Sequence, residues 1–223
     1  MDNTRLGLEL TLPTALTLGN LLCGFFAVLY AVGHGPLDRS SATCCWMLAA
    51  IGFDALDGVA ARRLGSESKF GTHLDALADM VSFGVAPSLL CLFEFQAPYL
   101  GMPAALVYLS SAALRLARFS TESFSAAKPR VFSGLPSPAA AACVAALVLV
   151  EAKGVWPMMI VALVCGLMLS RRPFLHPASL GASRLGVAIG AALVISFFSP
   201  ALAVGSTVAG YLLLPLLVGS KPR

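Results

Sequence analysis

The sequence predicts an all-α fold, a polytopic transmembrane helical bundle of about eight helices, and three observations carry that prediction. Of 223 residues, 58% are hydrophobic and only 12% are charged, against about 25% charged in an ordinary soluble domain. The mean hydropathy is +0.85. The apolar runs lack the alternation of β-strands, and several approach the roughly 20 residues that cross a bilayer as helix. Backbone groups in lipid must be satisfied within each segment, so helices follow. No soluble domain, low-complexity segment or repeat of fixed period interrupts the pattern. The whole chain, 1–223, therefore reads as a single integral-membrane domain.

Residues 1–12 form a short polar lead-in with one arginine, and no small-residue cleavage site follows it, so the first apolar run reads as a retained helix rather than a signal peptide. That span covers about 14–33, after Pro13 and before Gly33-His34-Gly35-Pro36. A second covers about 41–62 and carries Asp54, Asp57 and Arg62 at its end. A polar loop, 63–71, leads to a third span from Thr72 to about Phe95, with Asp75 and Asp79 in its first two turns. The fourth, about 99–120, ends in Arg115 and Arg118, and the polar residues 121–137 make the longest loop. The fifth and sixth spans cover about 138–153 and 155–170 and complete a core of residues 13–170. Two additional C-terminal helices are expected near 184–199 and 201–219.

Charge placement orients the bundle. With a cytoplasmic amino terminus, thirteen basic residues lie on the cytoplasmic side and only Arg39 and Lys153 on the other. This positive-inside asymmetry argues for an even number of spans and a multi-pass protein, in the inner membrane if the cell is bacterial. The same count places the acidic stretch on the cytoplasmic face. The six cysteines fall in apolar runs with no CxxC or Cys/His spacing and read as small buried hydrophobes. No nucleic-acid partner is expected.

The residues 54–79 hold four aspartates at the edges of two apolar spans, in a chain that is otherwise overwhelmingly apolar. Asp54 and Asp57 are three apart and Asp75 and Asp79 four apart, so each pair shares a helix face. An antiparallel arrangement of the second and third spans brings the pairs together. Intramembrane carboxylates are costly unless paired, hydrated or bound to a cation. One or two hard divalent cations would offset the repulsion, and all-oxygen ligands favour Mg²⁺, Mn²⁺ or Ca²⁺ over zinc. Metal beside basic residues suits a phosphate-bearing substrate, which Arg62 could grip with paired hydrogen bonds. Gly58 and Gly71 would let a bulky ligand approach the backbone, and a carboxylate not committed to metal could act as general base.

The spacing Asp54-x2-Asp57-Gly58-x2-Ala61-Arg62-x8-Gly71-x3-Asp75-x3-Asp79 fixes eight residues across 26 positions. It resembles the signature of the CDP-alcohol phosphotransferase family at every fixed position. That resemblance implies a six-helix catalytic core, attack of an alcohol on a CDP-linked lipid, and release of CMP. It implies metal binding by Asp54, Asp57 and Asp75, a base role for Asp79 with contact to a second metal, and CDP contacts at Gly58, Arg62, Ser68 and Gly71. The segment Pro13-Thr14-Ala15-Leu16-Thr17-Leu18-Gly19-Asn20 is similar to a first-helix element that holds the nucleotide in relatives. Thr14 stands where Asn is usual, while Thr17 and Asn20 match. The runs Ser82-Phe83-Gly84-Val85-Ala86-Pro87, Leu114-Arg115-Leu116-Ala117-Arg118-Phe119 and Phe132-Ser133-Gly134-Leu135-Pro136-Ser137 resemble membrane-embedded phosphatidylserine synthases. Ser120 stands where those relatives often carry Asn.

The resemblance implies CDP-diacylglycerol and L-serine as substrates, Mg²⁺ or Mn²⁺ as cofactor, membrane lipids as surroundings and a homodimer. Other acceptors, glycerol 3-phosphate or an inositol phosphate, and an ether-lipid donor keep the same chemistry. A cation transporter is the rival of a different class. Arg115 and Arg118 share a face at the cytoplasmic border; they read either as anchors reaching the headgroups or as a site for an anionic group of the acceptor or lipid. His73 has no second histidine at ligand spacing and reads as a loop residue.

Overall fold

A computed structural model describes residues 11–65, 68–97, 99–123, 131–170 and 173–175. Helix α1, Leu12–Ala31, has Pro13 in its first turn, where the missing N–H would have had no helical partner. Helix α2, Arg39–Leu64, is capped by Asp38, whose Oδ2 accepts from Ser41 N–H at 2.9 Å. That bond, outside the apolar spans, holds the Asp38 carboxyl below its ordinary range. Gly65 ends α2 in the left-handed region, φ 60°, with its N–H on the Ala61 carbonyl.

Ser68 starts the next helix, its Oγ accepting from Gly71 N–H at 2.9 Å. Helix α3, Lys69–Asp79, then runs unbroken through a π-helical turn, Met80–Val85, into α4, Ala86–Phe93. The wide turn has a local cause. Ala86 N–H bonds back five residues to the Val81 carbonyl, and Pro87 has no N–H to give the following rung. The interruption thus falls where an α-helical hydrogen bond is already missing. One extra residue in the turn offsets the buried face of α4 from that of α3.

Helices α5, Gly101–Ser123, α6, Ser137–Leu149, and α7, Val155–Leu169, complete the described bundle. Strand β1, Val131–Ser133, pairs antiparallel with β2, Pro173–Leu175, Val131 lying opposite Leu175. Between β1 and α6, Gly134 has φ +86°, and a Cβ there would stand 2.9 Å from the Ser170 carbonyl oxygen. Leu135 N–H bonds to the Leu167 carbonyl at 3.1 Å, so α6 begins against the end of α7.

The six spans expected within 14–170 fall on α1, α2, the α3–α4 helix, α5, α6 and α7. Some boundaries move. The third span starts at Lys69 because Ser68 caps it, so the loop is shorter than 63–71 and His73 lies within a helix. The polar stretch 121–137 contains the strand β1. The C-terminal helices expected near 184–199 and 201–219 lie outside the described residues, as do residues 1–10 of the lead-in. Among the described helices, α1, α2 and Lys69–Phe93 are long and apolar enough to cross a membrane; Ser137–Leu149 and Val155–Leu169 are apolar but shorter.

Helix α1 lies along α2 and against α3 and the π turn, while α5 packs on α4 and α7, and α6 on α2 and α4. Small residues line these seams: Ala27, Ala50, Ala86, Ala112, Ala140 and Ala145 are fully buried. That composition suits helices held by close backbone approach. Leu22, Phe25, Leu106, Met159 and Leu163 point outward and are more than half exposed, an apolar exterior suited to lipid.

Candidate active site

Two to three turns from the end of α2, Asp57 and Asp54 face Asp75 of α3. A carboxylate oxygen from each lies within 4.8 Å of the other two. The spacing of three along α2 accounts for the first pair, and the short Gly65–Ser68 connection folds α3 back to supply the third. Asp57 is buried and accepts from Thr17 Oγ1 on α1 at 2.9 Å. The Thr17 hydroxyl also lies 3.0 Å from the Pro13 carbonyl, one turn back.

Asp79 stands apart from that group of three. One turn beyond Asp75 and only 7% exposed, its Oδ1 accepts from Asn20 Nδ2 at 3.1 Å. The Asn20 backbone carbonyl in turn accepts from Ser82 Oγ in the π turn at 3.0 Å. Helix α1 therefore touches both carboxylate positions, with Thr17 on Asp57 and Asn20 on Asp79.

The structure supplies a test of whether these residues fit a metal. Asp75 Oδ1 is buried with no hydrogen-bond partner. A buried carboxylate oxygen without a donor costs several kcal/mol in order of magnitude. Three oxygen donors at this separation, one of them wanting a partner, suit a hard divalent cation. The donor set fits the metal that the acidic spacing implies, and it comprises three of the four aspartates.

Arg62 is exposed at the end of α2 and folds back over Gly58, where an added Cβ would meet its Nη1 at 3.2 Å. Ser68 and Gly71 are tied together in the α3 cap. Arg115 is buried, 8% exposed, and donates from Nη1 to Ser137 Oγ of α6. It lies near enough for its charge to act on Asp54, Asp75 and Asp79. Burial against α6 sets it apart from an anchor reaching the headgroups. Arg118, one turn on, donates to the Leu169 carbonyl at 3.3 Å at the end of α7. His73 lies on the other side of α3, lining an apolar cleft of about 370 Å³ with Leu77, Met80, Leu116 and Ser120.

Sequence reasoning gave no role to Ser82 or Ser137, although both stand in motifs it singled out. The signal available for Ser82 was its position three residues after Asp79 in an apolar run; for Ser137 it was the first position of α6. Chemically, the arrangement can hold a divalent cation at Asp54, Asp57 and Asp75 beside an oriented carboxylate, with a buried guanidinium close by.

Comparison with known proteins places this sequence among relatives. The sequence model of the family described as CDP-alcohol phosphatidyltransferase matches residues 10–170. The chain is similar to proteins named CDP-diacylglycerol–serine O-phosphatidyltransferase. It is 35% identical to that of Helicobacter pylori strain 26695 over 144 residues, 63% of this chain and 58% of the relative. To that of Bacillus subtilis strain 168 it is 34% identical over 138 residues, 61% of this chain and 74% of the relative. To that of Methanocaldococcus jannaschii it is 36% identical over 132 residues, 59% of this chain and 57% of the relative. The match thus spans less than two thirds of the Helicobacter and Methanocaldococcus proteins.

Proposed function

Since the chain belongs to the CDP-alcohol phosphatidyltransferase family, we propose that it transfers a phosphatidyl group from CDP-diacylglycerol to L-serine, forming phosphatidylserine and releasing CMP. The observation that carries this reading is the group of Asp54, Asp57 and Asp75 oxygens within 4.8 Å of one another, with Asp79 held separately by Asn20. Relatives named as serine phosphatidyltransferases support serine as the acceptor. The family match across residues 10–170 weighs against a cation transporter.

Asp54, Asp57 and Asp75 would hold Mg²⁺ or Mn²⁺. A cation there supplies charge neutralisation of the phosphoryl oxygens. Thr17, Asn20, Gly58, Arg62, Ser68 and Gly71 border the space for the CDP portion, and Arg62 takes the phosphate of CMP. Arg115, with Arg118 beyond it, faces the acceptor's carboxylate or the lipid phosphate. Asp79 accepts the serine hydroxyl proton. The serine oxygen then forms a bond to the lipid-bearing phosphorus as the bond from that phosphorus to the CMP oxygen breaks, and CMP departs with the electron pair. The acyl chains stay in the bilayer, so the site opens sideways to lipid, at the cytoplasmic face of a multi-pass protein.

The test is CMP release by the purified full chain from CDP-diacylglycerol with Mn²⁺ or Mg²⁺ and a panel of acceptors. Release with serine, abolished by chelator, is expected. Release only with glycerol 3-phosphate or an inositol phosphate would replace the acceptor, and ion flux without CMP release would overturn the reading.

A further inference from the structure

The π turn that interrupts the third span places Ser82 three residues after Asp79, where both side chains reach the same residue of α1. Asn20 gives its side-chain amide to Asp79 Oδ1 at 3.1 Å, and its backbone carbonyl receives Ser82 Oγ at 3.0 Å. All three are buried, Asn20 and Ser82 completely. Among the described residues, Asn20 is the hydrogen-bond partner of Asp79, so it fixes which carboxylate oxygen faces the reaction. The amide has one sense: a carboxylate accepts, so the nitrogen faces it. Asn20 Oδ1 is left buried without a partner, and nothing on that side holds the side chain. The Asn20 backbone is held within α1, and Ser82 ties its carbonyl to the π turn that follows Asp79.

The surroundings leave little freedom for that grip. Opposite Ser82 stands Gly24, one turn after Asn20, where a Cβ would come within 2.8 Å of Ser82 Cα. The absent side chain lets the π turn approach α1 closely enough for the hydroxyl to reach the Asn20 carbonyl. Ser82 and Asp79 are joined through a three-residue turn, so a shift of the turn against α1 moves both ends of the contact together. π turns recur at functional sites because the extra residue re-aims neighbouring side chains.

We infer that Ser82 is a positioning residue for the transfer step, acting through Asn20 to hold Asp79 in its reacting orientation. The inference rests on the reading of Asp79 as base. It predicts a larger effect on turnover than on substrate capture, because the Asn20 amide is committed to Asp79 and Ser82 touches neither the Asp54, Asp57 and Asp75 group nor the Arg62 end of the site.

The experiment measures kcat and KM for CDP-diacylglycerol and serine with the full chain, for Ser82→Ala, Asn20→Ala, the double variant and Asp79→Asn. Ser82→Ala should lower kcat roughly tenfold while each KM stays within about twofold. In the Asn20→Ala background the same change should cost little more, because the two act on one contact. Full additivity, or wild-type kcat in Ser82→Ala beside an inactive Asp79→Asn, would overturn the inference and leave Asp79 as base. Turnover in Asp79→Asn would instead remove the base reading and this inference with it. Should Ser82→Ala fail to fold, Ser82→Cys keeps a weaker donor: an intermediate kcat is expected, and a wild-type kcat would overturn the inference.

Discussion

At the amino-terminal end of α2 the acids have protein partners. Asp38 accepts from the Ser41 backbone, and Glu94, at the end of α4, accepts from Ser40 Oγ at 2.7 Å and pairs with Arg39 at 3.5 Å. The Arg39 guanidinium also lies over the Phe93 ring at 4.3 Å. At the other end of the same helix, Asp54 and Asp57 meet Asp75, and the nearest protein groups leave Asp75 Oδ1 unpartnered. The two ends of one helix thus meet acids of both kinds. At its start Asp38 caps α2 through the Ser41 backbone, and Glu94 holds α4 to α2. Near its finish Asp57 is oriented by Thr17, while Asp75 Oδ1, facing it from α3, has no protein donor. The contrast separates a structural carboxylate from one kept available for a ligand more clearly than burial does, since both ends include half-buried groups.

The largest expected effect falls on the acid that stands between these two cases. Asp79→Asn keeps the shape and loses the proton acceptor, so turnover should fall by about 10³-fold or more while CDP-diacylglycerol still binds; single-turnover CMP release beside a binding titration separates the two. A smaller effect is expected from the second layer. Thr17→Val removes the donor to Asp57, and cation affinity should weaken roughly tenfold, measured as the Mn²⁺ concentration giving half-maximal CMP release. The smallest belongs to the amino-terminal end of α2. Glu94→Gln breaks a partly exposed ion pair worth about 0.5–1 kcal/mol, so the thermal midpoint should drop slightly with turnover unchanged. A large loss of turnover in Glu94→Gln would erase the distinction between the ends.

Much of this was legible in the chain, and the reasons are physical. Spans can be read because bilayer thickness sets their length and lipid sets their composition, and the six spans expected within 14–170 fall on described helices. The acid pairs can be read because spacings of three and four put side chains on one helix face. The partition into three aspartates and one could not be read from spacing, since it depends on how α3 rotates against α2. The resemblance implied it for Asp54, Asp57 and Asp75. The π turn was hidden because its residues are as apolar as their neighbours; Gly84 and Pro87 were the only local marks of an irregular helix there. Arg115 illustrates a different limit. Its spacing with Arg118 placed both at a helix border, but only packing against α6 sends one inward to Ser137 and the other to the end of α7.

The central claim is that the group of Asp54, Asp57 and Asp75 is completed by a divalent cation. Mn²⁺ binding to the purified full chain, followed by electron paramagnetic resonance, tests it without requiring any substrate. Saturable binding to the wild-type protein, lost in Asp75→Asn and kept in Glu94→Gln, is the predicted result. Equal binding by wild type and Asp75→Asn, or none by either, would contradict it.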